Sequence, residues 1–103
     1  MSVVSIAELQ FGVLVASDDK SRAQRLARLS AILGAFDPLP VDPAVAASYG
    51  QLAAATVRAG RKASARSLDL MIAATAHAHG ARLVTANPED VRHLATLVEI
   101  VAA

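Results

Sequence analysis

The sequence contains no cysteine, very few aromatic residues and no long uncharged apolar run. The absence of cysteine excludes disulfide bridges, thiolate metal sites and cysteine nucleophiles, and it fits a protein that works in a reducing cytoplasm. One Tyr, two Phe and no Trp leave Ala, Leu, Val and Ile to form the core. No charged-then-apolar leader opens the chain, and no uncharged stretch reaches the roughly 20 residues of a membrane span, so we expect no membrane segment.

The composition is typical of one small globular domain. The chain has 103 residues, of which 54% are hydrophobic, a length sufficient for one domain and too short for two. We therefore predict a single domain over residues 1–103. The formal net charge of +1 is too small to identify a nucleic-acid-binding protein by itself.

The hydrophobic pattern predicts strands that alternate with helices. Short β-branched or apolar runs predict strands near residues 2–5, 37–41, 82–86 and 97–101. Helical spacing of apolar residues predicts helices near residues 6–16, 20–34, 43–60, 67–80 and 87–94. This alternation is typical of an α/β fold, which we predict as a three-layer sandwich with a mostly parallel sheet.

Three of the predicted helices begin with a capping residue followed by an acid: Ser5 with Glu8, Ser67 with Asp69, and Asn87 with Asp90. A capping box or the helix dipole gives each acid a structural explanation. Asp69 differs from the others because it lies in the apolar run SLDLMIAATA, where an unpartnered charge would be costly to bury. A partner, a capping role or a metal ion would each remove that cost.

The acids at the helix starts also allow a functional interpretation. In a parallel α/β sheet, helices begin just beyond the carboxyl ends of the strands, along the edge where ligands bind. We therefore expect Glu8, Asp69, Asn87 and Asp90 to converge there. A set of oxygen ligands without cysteine or histidine suits a hard cation such as Mg²⁺ or Mn²⁺.

Two stretches of the sequence resemble a known family. SIAEL followed by Gly12, and the longer string RSLDLMIAATAHAHGARLVTANPEDV, are similar to PIN domains and in particular to the VapC toxins of bacterial toxin–antitoxin pairs. The ordered pattern D-x-x-IAATA-x-x-HG-x-x-LVT-x-N-x-x-D contributes most of the similarity. The resemblance extends over the whole chain, from the second strand of the family to its last. It implies a PIN-like fold and a Mg²⁺-dependent endoribonuclease.

The resemblance also implies roles for individual residues. Glu8 matches the acid of the helix after the family's second strand, and Asp69 matches the acid before IAATA. Asn87 falls where the family carries Asp or Asn, and Asp90 matches the acid that follows. Glu8, Asp69 and Asp90 are thus the implied catalytic residues, and these three with Asn87 are the implied ligands of Mg²⁺ or Mn²⁺. RNA as substrate, a cognate antitoxin as partner, a homodimer and a cytoplasmic location follow from the same resemblance.

One feature of the family has no counterpart in the chain. Family members open with a strand that ends in an Asp, and residues 1–103 contain nothing that corresponds to it. We therefore expect a PIN-like domain that lacks its first β-α unit. Two functions stay open: a metal-dependent endoribonuclease, or a catalytically impaired module that dimerises or binds an antitoxin without cutting RNA.

A basic segment precedes the predicted helix of Asp69. Arg58, Arg61, Lys62 and Arg66 lie within it, and they could contact the phosphates of RNA. A solvated basic loop explains the same residues equally well.

Overall fold

The computed structural model describes residues 1–102, which form two compact units. The first unit is Met1–Pro40 and the second begins at Val41. Each unit is described by itself below.

The first unit consists of two helices, α1 (Val3–Leu14) and α2 (Asp19–Ala35). Ser2 caps α1, because its backbone is extended and its hydroxyl accepts a hydrogen bond from the Val4 N–H at 3.1 Å. This cap starts the helix three residues earlier than predicted, so the predicted strand at residues 2–5 is wrong. Within residues 1–40, one parallel bridge between Ser2 and Leu39 is what remains of this strand and of the strand predicted at 37–41.

The start of α2 follows the prediction more closely. The Asp18 carboxylate accepts a hydrogen bond from the Ser21 N–H at 2.7 Å, and this bond lowers the pKa of Asp18 below its ordinary value. On the apolar side of α2, Leu29 is buried, whereas Leu26 and Leu33 are exposed. The apolar spacing therefore predicted the helix correctly, although it does not show which of these side chains are buried.

The core of the second unit lies between two helices, α3 (Pro43–Arg58) and α4 (Ser67–Ala78). The helix α3 begins where it was predicted: the Asp42 carboxylate caps it by accepting a hydrogen bond from the Val45 N–H at 3.1 Å, and Pro43 takes the first helical position. Both helices end near a glycine with positive φ, Gly60 after α3 and Gly80 after α4. The fully or nearly fully buried core residues include Val45, Leu52, Leu70, Ala73, Ala74 and Leu94.

Two short parallel strands complete the second unit. Strand β1 (Leu83–Thr85) pairs with β2 (Ile100–Ala102), with Leu83 opposite Ile100. The connection between them contains a 3₁₀ segment (Pro88–Leu94) whose Val91 and Leu94 are buried. The predicted strand at 82–86 is thus confirmed with shorter bounds, and the strand predicted at 97–101 is confirmed but lies at 100–102. The predicted α/β class is also confirmed, since this unit combines helices with a parallel sheet, here of two strands.

Candidate functional site

Asp69 lies in the first turn of α4, as predicted, but the surroundings of its side chain differ from the expectation. Asp69 is exposed to solvent, and its neighbour Leu68 is 59% exposed. The buried face of α4 begins at Leu70. Within residues 41–102 the Asp69 carboxylate forms no hydrogen bond or ion pair. The expected cost of burying this charge is therefore absent, and the carboxylate is free to bind a hydrated cation.

Ser67 does not cap α4, which corrects the prediction. A 3₁₀ turn (Ser64–Arg66) runs directly into the helix, so Arg66 occupies the capping position and has no side-chain capping bond. The Ser67 hydroxyl instead donates a hydrogen bond to the Ser64 carbonyl at 3.0 Å. Asp69 is thus the acid that the α4 dipole stabilises directly.

Asn87 and Asp90 follow the carboxyl end of β1. Asn87 occupies the capping position of the 3₁₀ segment, as predicted, but its side chain forms no capping bond. Its N–H donates to the Thr85 hydroxyl at 3.1 Å, and its carbonyl accepts from the Asp90 N–H at 3.1 Å. These two hydrogen bonds of the Asn87 main chain fix the turn that carries both residues. The side chains of both residues are exposed beyond the strand end.

Two arginines hold Asp90. Arg61 donates to the Asp90 main-chain carbonyl at 2.9 Å, and Arg66 lies 3.9 Å from the Asp90 carboxylate. Arg66 precedes Asp69 by only three residues. The contact of Arg66 with Asp90 therefore places Asp69 and Asp90 at the same end of the second unit, and the sequence analysis did not detect this contact.

His93 lies near the same end and has a defined tautomer. The Thr56 hydroxyl donates its only proton to the Leu52 carbonyl at 2.8 Å, and it lies 2.9 Å from Nε2 of His93. Nε2 must therefore carry the proton and donate to Thr56. Nδ1 is buried and has no hydrogen-bond partner among residues 1–102. Burial, together with the charges of Arg61 and Arg66, lowers the pKa of His93 below its ordinary value of 6.5.

Glu8 belongs to the first unit. Ser2 caps α1, so Ser5 lies inside the helix and the predicted capping box of Ser5 and Glu8 is wrong. Glu8 is consequently beyond the first turn, where the helix dipole adds little. The side chain is exposed, and within residues 1–40 its carboxylate forms no hydrogen bond or ion pair.

The donors of the second unit fit a hard divalent ion in type, although they do not form a closed cage. Within residues 41–102, no three Asp, Glu or His side chains are grouped to hold a metal ion. Asp69, Asn87 and Asp90 supply only oxygen ligands, and Asp69 is unpaired. Mg²⁺ is commonly bound by one or two carboxylates while it keeps several waters. The residues at this end therefore suit a partly hydrated Mg²⁺ or Mn²⁺ better than a dehydrated structural ion.

The family match extends through both units. The PIN domain profile matches residues 1–97. The chain belongs to the PIN domain family. The resemblance inferred from the sequence is thereby confirmed. In residues 1–102, none of the helices is long and apolar enough to cross a membrane.

The chain is similar to individual PIN-domain proteins of Mycobacterium tuberculosis. It is 41% identical over 76 residues to Ribonuclease VapC8, a match covering 74% of this chain and 67% of that relative. It is 38% identical over 84 residues to Ribonuclease VapC5, which covers 82% of this chain and 60% of that relative. A solved chain of VapBC-5, a member of the VapBC toxin–antitoxin systems, matches with a TM-score of 0.82 at 34% identity. That match covers 98% of this chain and 77% of the solved chain.

Proposed function

We propose that this chain is a metal-dependent endoribonuclease of the VapC type that hydrolyses RNA phosphodiester bonds. The observation that carries the proposal is the similarity at about 40% identity to relatives named Ribonuclease VapC. The exposed and unpaired Asp69 supports it, because a metal-binding carboxylate needs free oxygens. We further propose that both units make one PIN domain, since a single family profile runs through them.

The proposed metal site contains Asp69, Asp90 and Asn87 from the second unit, with Glu8 assigned on the resemblance alone. Bound Mg²⁺ or Mn²⁺ supplies an activated water and neutralises charge on the phosphate. In this proposal Asp69 and Asp90 bind the ion and the α4 dipole stabilises Asp69 in its charged form. Asn87 adds a neutral oxygen at the end of β1. Glu8, Asp69 and Asp90 are the proposed catalytic residues.

The proposed partners are an antitoxin and a second copy of the chain. Phe11, Leu14 and Val15 are 66%, 75% and 54% exposed, and their spacing places them on one side of α1 and its end. Exposed apolar side chains at this spacing are typical of protein–protein contact surfaces. The similarity to VapBC-5 supports a cognate antitoxin as one partner. Light scattering should give twice the chain mass of 10.6 kDa, and a monomer at micromolar concentration would contradict the homodimer.

The experiment that tests the enzyme compares RNA cleavage by the wild type, Asp69→Asn and Glu99→Gln. Glu99 is an exposed acid of the second unit that lies outside the proposed site, so its variant controls for loss of one charge. We expect cleavage of structured RNA with Mg²⁺ or Mn²⁺ by the wild type and Glu99→Gln, and none by Asp69→Asn or in EDTA. Equal cleavage by Asp69→Asn and the wild type would exclude Asp69 from the site.

A thermal measurement tests metal binding separately from cleavage. Millimolar Mn²⁺ should raise the Tm of the wild type and of Glu99→Gln, because the ion binds only the folded chain. Asp69→Asn should lose this response, and in EDTA it should be only slightly less stable than the wild type, because the charge that the α4 dipole stabilises is gone. If metal raises the wild-type Tm but no RNA is cut, the chain is the catalytically impaired module that binds partners without cutting. An unchanged metal response in Asp69→Asn would make Asp69 merely structural.

A further inference from the structure

Positive charge is concentrated in one segment of the second unit. Arg58, Arg61, Lys62 and Arg66 are four of the ten Lys and Arg of the chain, and residues 58–68 contain no Asp or Glu. The whole chain carries a net charge of only +1, so this segment is strongly basic relative to the rest. Arg58 and Lys62 are exposed, whereas Arg61 and Arg66 are partly buried. The two partly buried guanidinium groups therefore have restricted positions.

The acids nearby leave most of this charge uncompensated. Arg61 contacts Asp90 through a neutral main-chain carbonyl, so its charge is not balanced by that bond. Arg66 approaches the Asp90 carboxylate only to 3.9 Å, which is longer than a hydrogen bond. Glu89 is paired with Arg92. Within residues 41–102, Asp90 is therefore the only acid in contact with either guanidinium group.

The charges of both guanidinium groups also affect one nearby side chain, His93. Burial is the first cause of the lowered pKa of His93, and the charges of Arg61 and Arg66 add to it. Both arginines are thus close enough to raise the electrostatic potential at His93. Each guanidinium has five N–H donors, and Arg61 uses one of them on Asp90. The remaining donors can bind a phosphate.

We propose that Arg61 and Arg66 form a phosphate subsite beside Asp90 that positions the RNA backbone for cleavage. This inference rests on the proposed ribonuclease function and specifies how its substrate is held. Arg61 is anchored by the Asp90 carbonyl, and Arg66 can leave its long contact with the Asp90 carboxylate for a phosphate oxygen. Arginine suits this role because its planar fork can donate two parallel hydrogen bonds to a phosphate. Both arginines are positioning residues and not catalytic ones.

The test measures binding of a short single-stranded RNA in EDTA, where the proposed nuclease cannot consume the probe. Affinity is measured against salt concentration for the wild type, Arg61→Gln, Arg66→Gln and Arg82→Gln. Arg82 is an exposed arginine at the amino end of β1, so its variant removes the same charge away from the subsite. Each phosphate contact contributes about 0.7 to the slope of log K against log salt for single strands.

We expect Arg61→Gln and Arg66→Gln each to lower the magnitude of that slope by about 0.7 and to weaken binding roughly tenfold. Arg82→Gln should leave the slope unchanged, and Arg66→Lys should restore most of it because the charge is kept. Slopes equal to the wild type in both glutamine variants would overturn the inference. Thermal unfolding of each variant confirms that weakened binding does not come from an unfolded chain.

A second measurement, the NMR titration of His93, separates a phosphate contact from a structural role. A bound phosphate cancels part of the field of Arg61 and Arg66, so RNA should raise the pKa of His93. A pKa that does not change on RNA binding would also overturn the inference. The proposed function is tested separately. If the wild type cuts RNA but Arg61→Gln and Arg66→Gln keep the wild-type salt slope, the nuclease function is supported and the phosphate subsite is refuted. If the slopes change but no divalent ion supports cleavage, the proposed function fails.

Discussion

The packing of the second unit can be tested through the hydrogen bond between Thr56 and His93. The substitution Thr56→Val removes this bond and leaves the side chain with nearly the same shape. Thr56 is fully buried in α3, and among residues 1–102 its hydroxyl is the only hydrogen-bond partner of Nε2 of His93. The Leu52 carbonyl keeps the helical hydrogen bond from the Thr56 N–H, so it does not become unsatisfied. After the substitution, both ring nitrogens of His93 lack a partner, since Nδ1 is already unpartnered.

The loss of stability in Thr56→Val comes from the Nε2–H group of His93, which is left without a hydrogen-bond acceptor. An unsatisfied buried donor costs about 1–3 kcal/mol, and each kcal/mol lowers Tm by about 4–8 °C in a domain of this size. Thr56→Ser is the matched control, because it keeps the hydroxyl and removes only a methyl group. We therefore expect Thr56→Val to be less stable than Thr56→Ser, as measured by thermal and urea unfolding at pH 7.5, where His93 is neutral.

A double-mutant cycle isolates the bond itself. In a His93→Phe background no imidazole N–H is present, so Thr56→Val should cost much less than in the wild type. We expect a coupling of about 1 kcal/mol or more between the two positions. A coupling near zero, or a Thr56→Val protein as stable as the wild type, would refute the assignment of the Nε2 proton and the contact on which it rests.

Three further outcomes are expected. The folded-state pKa of His93 lies below its ordinary value of 6.5, so the unfolded chain binds a proton more readily as the pH falls. The free energy of unfolding should therefore be highest above pH 6.5, decrease as the pH falls through 6.5, and become constant below the folded-state pKa. The decrease should be smaller in His93→Phe. Asp42→Ala should lose about 0.5–2 kcal/mol in urea unfolding because the Val45 N–H loses its cap, whereas Asp42→Asn should lose less. Gly80→Ala should lower the Tm because φ is +63°, a strain of about 1–2 kcal/mol, whereas Gly50→Ala inside α3, where a Cβ meets nothing within 4 Å, should raise it. Equal Tm values for the two glycine variants would contradict the assigned backbone conformations.

Local signals in the sequence predicted the helices better than the strands. Asp42 followed by Pro43 located the start of α3 to the residue, because a cap and a fixed φ act within one turn. The β-branched run at residues 2–5 failed because a short apolar run suits a strand or a helix equally well. The hydrogen bond from the Val4 N–H to the Ser2 hydroxyl caps the helix and so favours it over a strand.

The candidate site could be predicted only in part, for a related reason. The acids are recognisable from their positions at helix starts and from the resemblance, but their burial and partners depend on tertiary packing. Asp69 is exposed because the buried face of α4 begins one residue later, at Leu70. The contacts of Arg61 and Arg66 with Asp90 join residues 24 or more positions apart, and no local pattern identifies them.

The loose contact between Arg66 and Asp90 reconciles the two roles proposed for this end of the molecule. A metal ligand already held by a strong ion pair would bind an ion poorly, because the pair would have to break first. The Asp90 carboxylate is 55% exposed and lies 3.9 Å from Arg66, and pairs of this kind contribute only about 0–1 kcal/mol. Either partner can therefore be released at little cost, Asp90 to a cation and Arg66 to a phosphate. The Arg61 bond to the Asp90 main chain is unaffected by that exchange, so the turn that carries Asp90 keeps its position while the carboxylate changes partners.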